Sequence, residues 1–435
     1  MTKEKFQFSK SKNKEVEGIF AGGNVTQDAG LLIAKEIDKN LGLIKFVADK
    51  VEDRRNKNYI THDIEDMLKQ RVYGLIAGYE DLNDHILIRK DTHFQTLVGQ
   101  DKELASSATL SRFENSMTKK DINNLFLGMI ESFVSRIEEE PEKIVLDFDP
   151  TDCTIYGKQE ERSYHGYYKD YCFLPLHVFS GDELVTTLLR PSNIDGAKYA
   201  GAILKIIVSK IRERWPNIRV IFRGDCAFAR KHIFHWCENN EVEYIVGIGG
   251  NNVLQSKVKD KEEELISKQK ELGYEQKEYM SFKYQAGSWK KERRIIAKIE
   301  ASDHGLSRRF LVTNNTCNSA KEAYENQYCP RGDMENNIKQ LKLDLKADRL
   351  SCHSFLANQF RNFLAGLAYI IVTTVKKKLL QGTELANAYC RSITLKLFKI
   401  GAVIIEKKTK ITYLFSSNFP FKELFACVMK KLAPA

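Results

Sequence analysis

Three carboxylates stand where they could hold a hard metal ion. In "LDFDPTD" (146–152) an apolar run delivers Asp147 and Asp149, which share one face because strand side chains alternate with period two. Two charges on so apolar a strand are costly unless paired or bound to a metal. In "IFRGD" a second hydrophobic run delivers Asp225 at its end, just before a loop and helix, the place where α/β sheets bind ligands. The third, Glu335, lies in "NQYCPRGDMENNIKQLKLDLKADRL" (326–350). At about 100° per residue, with Tyr328 as zero, Arg331 falls near ~300°, Glu335 near ~340°, Lys342 near ~320° and Lys339 near ~20°. One helix stripe would then carry a single carboxylate among cations. Met334, Ile338, Leu341 and Leu345, at roughly 220–280°, make an adjoining apolar stripe for a core.

Two strand-end carboxylates and one from a helix suit Mg²⁺ or Mn²⁺. Two such ions about 3.5–4 Å apart can activate an attacking oxygen and stabilise a leaving one in phosphodiester chemistry. Tyr328, Arg331 and Lys342, with Lys339, would hold phosphates, the arginine by a bidentate contact. Any one of these carboxylates alone reads better as a turn or cap residue or as half of a surface ion pair; the combination in this order favours the metal site. Asp147, Asp149 and Asp152 crowd the first strand end, and spacing alone leaves Asp147 open beside Asp149. Pro330 and Gly332 disturb the first turn of the helix, although proline is tolerated at its first position.

The elements that must position these groups follow an α/β order. Residues 1–140 read as a mostly helical region, with apolar helical spacing in "AGLLIAKEIDKNLGLIKFVADKV" and "DIEDMLKQRVYGLIAGY". Strands follow at "KIVLDFD", "CFLPLHVFS" and "ELVTTLLR", then a helix "GAKYAGAILKIIVSKIRERW", a strand "IRVIFRGD", a helix "ARKHIFHWCENN" and a strand "EYIVGIGG". This is a mixed-sheet core, its first part spanning 141–252. A charged helix and a β-rich insertion fill 253–315, the second part of the core spans 316–390, and a basic hairpin and helix close the chain at 391–435.

The 435 residues suffice for two or three domains and carry a formal charge of +10. That balance suits a polyanionic partner such as nucleic acid, although a solvated basic surface is the slightly favoured reading of charge alone. Nine cysteines without a C-x-x-C spacing suggest neither disulfides nor zinc. No secretory signal opens the chain, and "FLAGLAYIIVTTV" (363–375) is too short to span a bilayer. The expectation is a cytoplasmic protein without a membrane partner.

At this point the residues resemble a known family. Tyr328, Arg331, Glu335 and Lys342 match the Y–R–E–K signature of bacterial insertion-sequence transposases of the DDE type. "DPT" at Asp149 is similar to that family's first aspartate motif, and "RGDCAF" at Asp225 to its second. "GYEDLNDH" (78–85), "LPLHVFSGD" and "LRPSNIDGAKYA" are similar to the insertion-sequence group numbered thirteen-eighty. The resemblance runs from about residue 18 to 400. It implies an RNase H-like catalytic core interrupted by a β-strand insertion, and an N-terminal region that recognises the element's terminal inverted repeats. It also implies a homodimer that synapses two ends of double-stranded DNA in the nucleoid, and two metal ions on Asp149, Asp225 and Glu335. Hydrolysis would free a 3′-hydroxyl that attacks target DNA, in some relatives through a hairpin intermediate. The rivals are an RNase H-like nuclease without strand transfer and an inactive relic that only binds DNA.

Weaker signals complete the reading. Trp289, among cations in "GSWKKERR", could stack on a flipped base, although a strand tryptophan is more often core. "SYHGYYKDY" (163–171) could touch DNA or cover the sheet equally well. "GIGG" (247–250) lacks the full dinucleotide fingerprint, and "YEDLNDH" reads as a structured loop rather than a second metal site.

Overall fold

The computed structural model describes residues 4–432. The chain divides into two compact units, one made of residues up to Ile44, Arg54–Arg112 and those from Thr374 onward, the other of Lys45–Asp53 and Phe113–Thr373. The helix Lys119–Arg136 therefore falls in the second unit.

The second unit is built on one eight-stranded sheet. Its strands are β1 (Lys143–Pro150), β2 (Leu176–Ser180), β3 (Glu183–Leu188), β4 (Arg219–Gly224), β5 (Glu243–Ile248), β6 (Gln276–Tyr284), β7 (Arg293–Ser302) and β8 (Gly305–Thr313), in the spatial order β6-β7-β8-β5-β4-β1-β2-β3. The central strands β1, β4 and β5 run parallel and the rest pair antiparallel, so the sheet is mixed. The central strands are largely buried, as helices on both faces of a parallel region require. Ile144, Leu146 and Phe148 of β1 are buried, and Phe148 meets Phe222 edge-on at 5.0 Å.

Helices α1 (Lys119–Arg136), α2 (Ala200–Arg214), α3 (Lys231–Asn239), α4 (Gly332–Lys339) and α5 (Phe355–Leu379) accompany the sheet. A Cβ on Gly366 of α5 would lie 3.1 Å from both Leu184 and Met129, so this glycine lets α5 sit directly between β3 and α1. By length and composition α5 alone among the described helices could cross a membrane, but 89% of its most apolar window is buried inside the protein. It is a core helix.

One stretch expected as a single strand is interrupted, and the β-rich insertion turns back on itself. "CFLPLHVFS" breaks at Pro175, which has no N–H for a ladder; its first half joins a small sheet of Cys153–Thr154, Ser163–His165 and Asp170–Phe173. The stretch from Phe282 to Asp303 reverses after Tyr284, so Trp289 lies in the connection between β6 and β7 rather than in a strand.

In the first unit an exposed hairpin (Lys5–Ser11 with Lys14–Ile19) precedes the helices, where only helical spacing was read. The tail hairpin, Ala402–Lys407 with Lys410–Phe415, takes Val25–Thr26 as a third strand. The residues just before it, 390–398, are helical. "YEDLNDH" is a structured loop: Asp81 and Asp84 cap one turn reciprocally, and the fully buried His85 meets Gln70 Nε2 at 3.1 Å and Arg71 Nη1 at 2.9 Å.

Candidate active site

Asp147 and Asp149 share a face of β1 but not an environment. Asp147, 2% exposed, accepts a bidentate pair from Arg223, which stands directly opposite on β4. Arg223 Nη1 also donates to the carbonyl of Gln327 at 2.6 Å, tying the sheet to the segment that carries Tyr328. Burial raises the Asp147 pKa, and Arg223 opposes that rise. Both carboxylate oxygens of Asp147 are engaged inside the protein. The choice left open between Asp147 and Asp149 now has a physical basis: Asp147 is spoken for, Asp149 is not.

Asp149 sits two residues on, where β1 runs out, and its nearest cation is Arg331 Nη1 at 3.9 Å. Burial pushes its carboxyl up to about 7; Arg331 pulls it down, and the like charges of Asp225 and Glu335 push it further up. Asp225 follows β4 and its Oδ1 accepts from the Ala227 N–H at 2.9 Å, capping a short turn. The turn depends on a residue the glycine motif concealed. A Cβ on Gly247 of β5 would lie 3.1 Å from both the Cys226 nitrogen and the Tyr328 hydroxyl, so "GIGG" leaves room for the Asp225 turn and for Tyr328.

The third group arrives on a helical segment whose pitch changes along its length. Residues Ala323–Tyr328 and Gln340–Asp344 are π-helical, Cys329–Arg331 is 3₁₀, and only Gly332–Lys339 continues as α-helix. A uniform 100° step therefore misplaces both ends of the expected stripe, because a π turn takes more residues. The adjoining apolar stripe nevertheless forms: Met334, Ile338, Leu341 and Leu345 are all buried. Glu335, with a side chain 67% exposed, reaches Arg331 Nη2 at 3.5 Å.

The seven residues expected at the site divide by neighbours, and Asp225 does not line the cleft shared by the other carboxylates. Asp149, Glu335, Lys339 and Lys342 line one cleft of about 260 Å³, with Thr151 and Ile338. Arg331 bridges Asp149 to Glu335 and lies 5.8 Å from the Tyr328 ring. Burial works against its charge, but Tyr328 and Asp149 outweigh that and hold its pKa above the usual value. Its Nε is buried without a hydrogen-bond partner. Lys342 is turned inward, donating to the Asp152 carbonyl at 2.5 Å and to Thr151 Oγ1 at 3.3 Å, so it clasps the loop after β1. Trp289 is not part of this group. It packs against Phe234 and Tyr284, with Arg293 over its ring at 4.9 Å.

The donor set fits a hard divalent cation in its chemistry: three carboxylates, with Asp149 destabilised by the charges of the other two. Arg331 supplies positive charge there. Among the described residues no three acidic, histidine or cysteine side chains close on one ion position, and the exposed Glu335 side chain lies against Arg331. The residues missed from sequence were Arg223 and Gly247. The first was detectable, since a buried aspartate in "LDFD" needs a cation at equal depth on the neighbouring strand, and "IFRGD" provides it.

The segment "SYHGYYKDY" forms an exposed turn with one partly buried ring. Tyr167 is 84% exposed and Tyr164 54%, while Tyr168 is pushed up to about 12 by burial and by the nearby Asp152 and Asp149.

No curated protein matches the chain. One solved structure that does match is described as a cryo-EM structure of the piggyBac transposase synaptic complex with hairpin DNA; it covers 86% of this chain and 80% of that one, at 10% identity and a TM-score of 0.44. The family described as transposase DDE domain group 1 matches residues 8–435, and the chain belongs to that family.

Proposed function

We propose that the chain is the DNA transposase of an insertion sequence of the Y–R–E–K type, in the group numbered thirteen-eighty. It binds the element's terminal inverted repeats as a homodimer at the nucleoid, cuts the ends and joins the freed 3′-hydroxyl to target DNA. The eight-stranded sheet serves as an RNase H-like core and β6–β8 as its insertion. The helices before it serve in recognition of the ends. Asp149, Asp225 and Glu335 would hold two Mg²⁺ or Mn²⁺ ions, which supply Lewis acidity to the attacking and leaving oxygens. Asp147 serves instead as the buried partner of Arg223.

The observation that carries this reading is the Arg331 guanidinium, set between Asp149 and Glu335 with a buried, unpartnered Nε. Its Nη1 and Nη2 stand 3.9 and 3.5 Å from those carboxylates, beyond close hydrogen bonds, and a phosphate oxygen would take these donors, since charge-assisted bonds of this kind position a phosphodiester. Lys339, exposed on the cleft rim, adds a second phosphate contact.

The test is excision in cells. A reporter flanked by the DNA that borders this gene is supplied with the wild-type chain or with Glu335→Gln. Excision by the wild type alone, with rejoined ends at new sites, supports the reading. Cleaved ends that never join to new DNA would leave a nuclease, and equal excision by both proteins would remove Glu335 from the chemistry.

A further inference from the structure

A second cleft lies on the same unit, outside the carboxylate site. It encloses about 490 Å³ between α2 and α3 and is lined by Lys198, Tyr199, Lys205, Arg230, His232 and Trp236 over a floor of small and apolar side chains. The floor is low for a definite reason: a Cβ on Gly201 would touch His232 and Ile233 at 3.4 Å, so the two helices approach closely there. His232 and Trp236 are four residues apart on α3, and Gly201 and Lys205 four apart on α2, so each pair shares a helix face.

Cations and rings alternate along this cleft. Lys198 Nζ lies 5.5 Å from the centre of the Tyr199 ring, and Lys205 Nζ lies 5.9 Å from that of Trp236. Arg230 pairs with the single carboxylate of the lining, Asp195, at 2.6 Å, which leaves two lysines in excess. Tyr199 is half exposed although aromatic, and its φ of +70° places it in the left-handed region, which a bulky side chain adopts only at a cost. The surroundings hold it there. Arg190, wholly buried, donates from Nη1 to the carbonyls of Gly196 at 2.9 Å and Lys198 at 2.8 Å, and from Nε to that of Leu174 at 2.9 Å.

The cleft adjoins the site of the proposed chemistry. A Cβ on Gly196 would lie 3.5 Å from Ala227, two residues after Asp225, and 4.0 Å from Pro150, the residue after Asp149. The loop that carries Lys198 and Tyr199 thus packs on both strand ends.

We infer that this cleft seats an unpaired nucleotide of the DNA strand being processed, its base against Tyr199 and Trp236 and its phosphates toward Lys198 and Lys205. Aromatic faces interleaved with cations are how proteins hold single-stranded nucleic acid, since every base offers a π face and every linkage a negative charge. A base pair held in a duplex cannot enter such a cleft without being unstacked. The inference rests on the proposed action on DNA and adds where a strand goes once it leaves the duplex. The smaller cleft beside Trp289, about 220 Å³, shares only His232 with this one, so the two seats are separable.

The experiment compares the full chain binding two fluorescein-labelled duplexes of the element's end, one blunt and one with an unpaired thymidine overhang, followed by anisotropy. The expected result is binding of the overhang roughly tenfold tighter than the blunt duplex. Tyr199→Ala and Lys205→Gln should each erase most of that preference while keeping the blunt-duplex affinity, and Tyr199→Phe should restore it. A preference that survives Tyr199→Ala and Lys205→Gln overturns the cleft as the seat, as does one that disappears only in Trp289→Ala. Binding to neither duplex by the wild-type chain overturns the action on DNA itself, and the cleft with it.

Discussion

The candidate site is assembled from two halves built on different principles. The strand half is deep and fully paired: Asp147 and Arg223 face each other in register across β1 and β4, and both are buried. The helical half is shallow and loosely paired. Glu335 has a side chain 67% exposed, and Arg331 reaches its two carboxylates at 3.5 and 3.9 Å rather than at hydrogen-bonding distance. Two carboxylates on the same strand face thus have opposite tasks. Asp147 secures the sheet to the helical segment, and Asp149 is left available where the strand ends. A charge that is fully satisfied holds structure, and one left half-satisfied can take a ligand.

Substitutions should separate the halves. Glu335→Gln is expected to lower end cleavage by about 10³-fold or more, while the urea unfolding midpoint stays within about 0.5 kcal/mol of wild type, as for an exposed side chain. Asp147→Asn should do the reverse in the first instance. It strands a buried guanidinium, and breaking such a pair costs roughly 3–5 kcal/mol, read from the same urea curves. If Asp147→Asn left stability unchanged and abolished cleavage, Asp147 and Asp149 would have to exchange roles.

The pH dependence sharpens the contrast inside the strand half, where Asp149 stands opposite His177 of β2. Burial holds the Asp149 carboxyl up at about 7, with Asp225 and Glu335 adding to it and Arg331 opposing. Between about pH 4 and 7 the folded chain therefore binds this proton more tightly than the unfolded chain, and stability falls as pH rises. Burial, with Lys342 and Arg190, presses His177 down to about 3. Between about pH 6.5 and 3 the unfolded chain takes up the proton that the fold refuses, so stability is lost as pH falls. The two trends oppose each other between about pH 4 and 6.5. In metal-free protein, Asp149→Asn should expose a steeper rise of unfolding free energy with pH across that window, and His177→Gln a fall, each up to roughly 3 kcal/mol in urea curves. Identical profiles for the two variants would defeat the assignment of either shift.

How far the sequence was legible follows the same division. Strand ends carrying Asp149 and Asp225 could be located because alternation, the proline after Asp149 and the glycine before Asp225 mark them locally. The buried stripe of Met334, Ile338, Leu341 and Leu345 could be read because burial tolerates a modest error in angle. The π turns on either side could not, since a step of 100° assumes the pitch it is used to find. Nor could the pairing of Val25–Thr26 with Ala402–Lys407, because two residues carry no periodicity and their partner lies at the other end of the chain. Trp289 was misplaced because apolar strand residues flank it on both sides, and the turn signal at Gly287 and Ser288 was passed over. Gly247 was visible as a glycine, but its use depends on Tyr328 and Cys226, which only the fold brings to it. Gly247→Ala should accordingly cost about 1–3 kcal/mol through overpacking and displace the Tyr328 hydroxyl, visible as a shift in the phenol titration of that tyrosine; an unshifted titration would mean the added methyl is absorbed elsewhere.

The smallest effect tests whether the two halves meet at Lys342. Lys339 and Lys342 line the same cleft, but Lys339 is exposed while Lys342 is bonded to Thr151 and Asp152 on the loop that follows Asp149. Lys339 then belongs to the helical half alone. Its replacement by Gln should weaken binding of duplex DNA modestly, lower the slope of log affinity against log salt by about one, and leave stability untouched. Lys342→Gln should weaken binding by a similar factor and also lower the unfolding midpoint by about 1 kcal/mol, because neutralising it loosens a charge-assisted clasp. A lysine that joins strand loop to helix has to show both signatures at once. If Lys342→Gln changed the salt slope and nothing else, the clasp would give way to DNA at no cost, and the strand half would hold Asp149 without help from the helix.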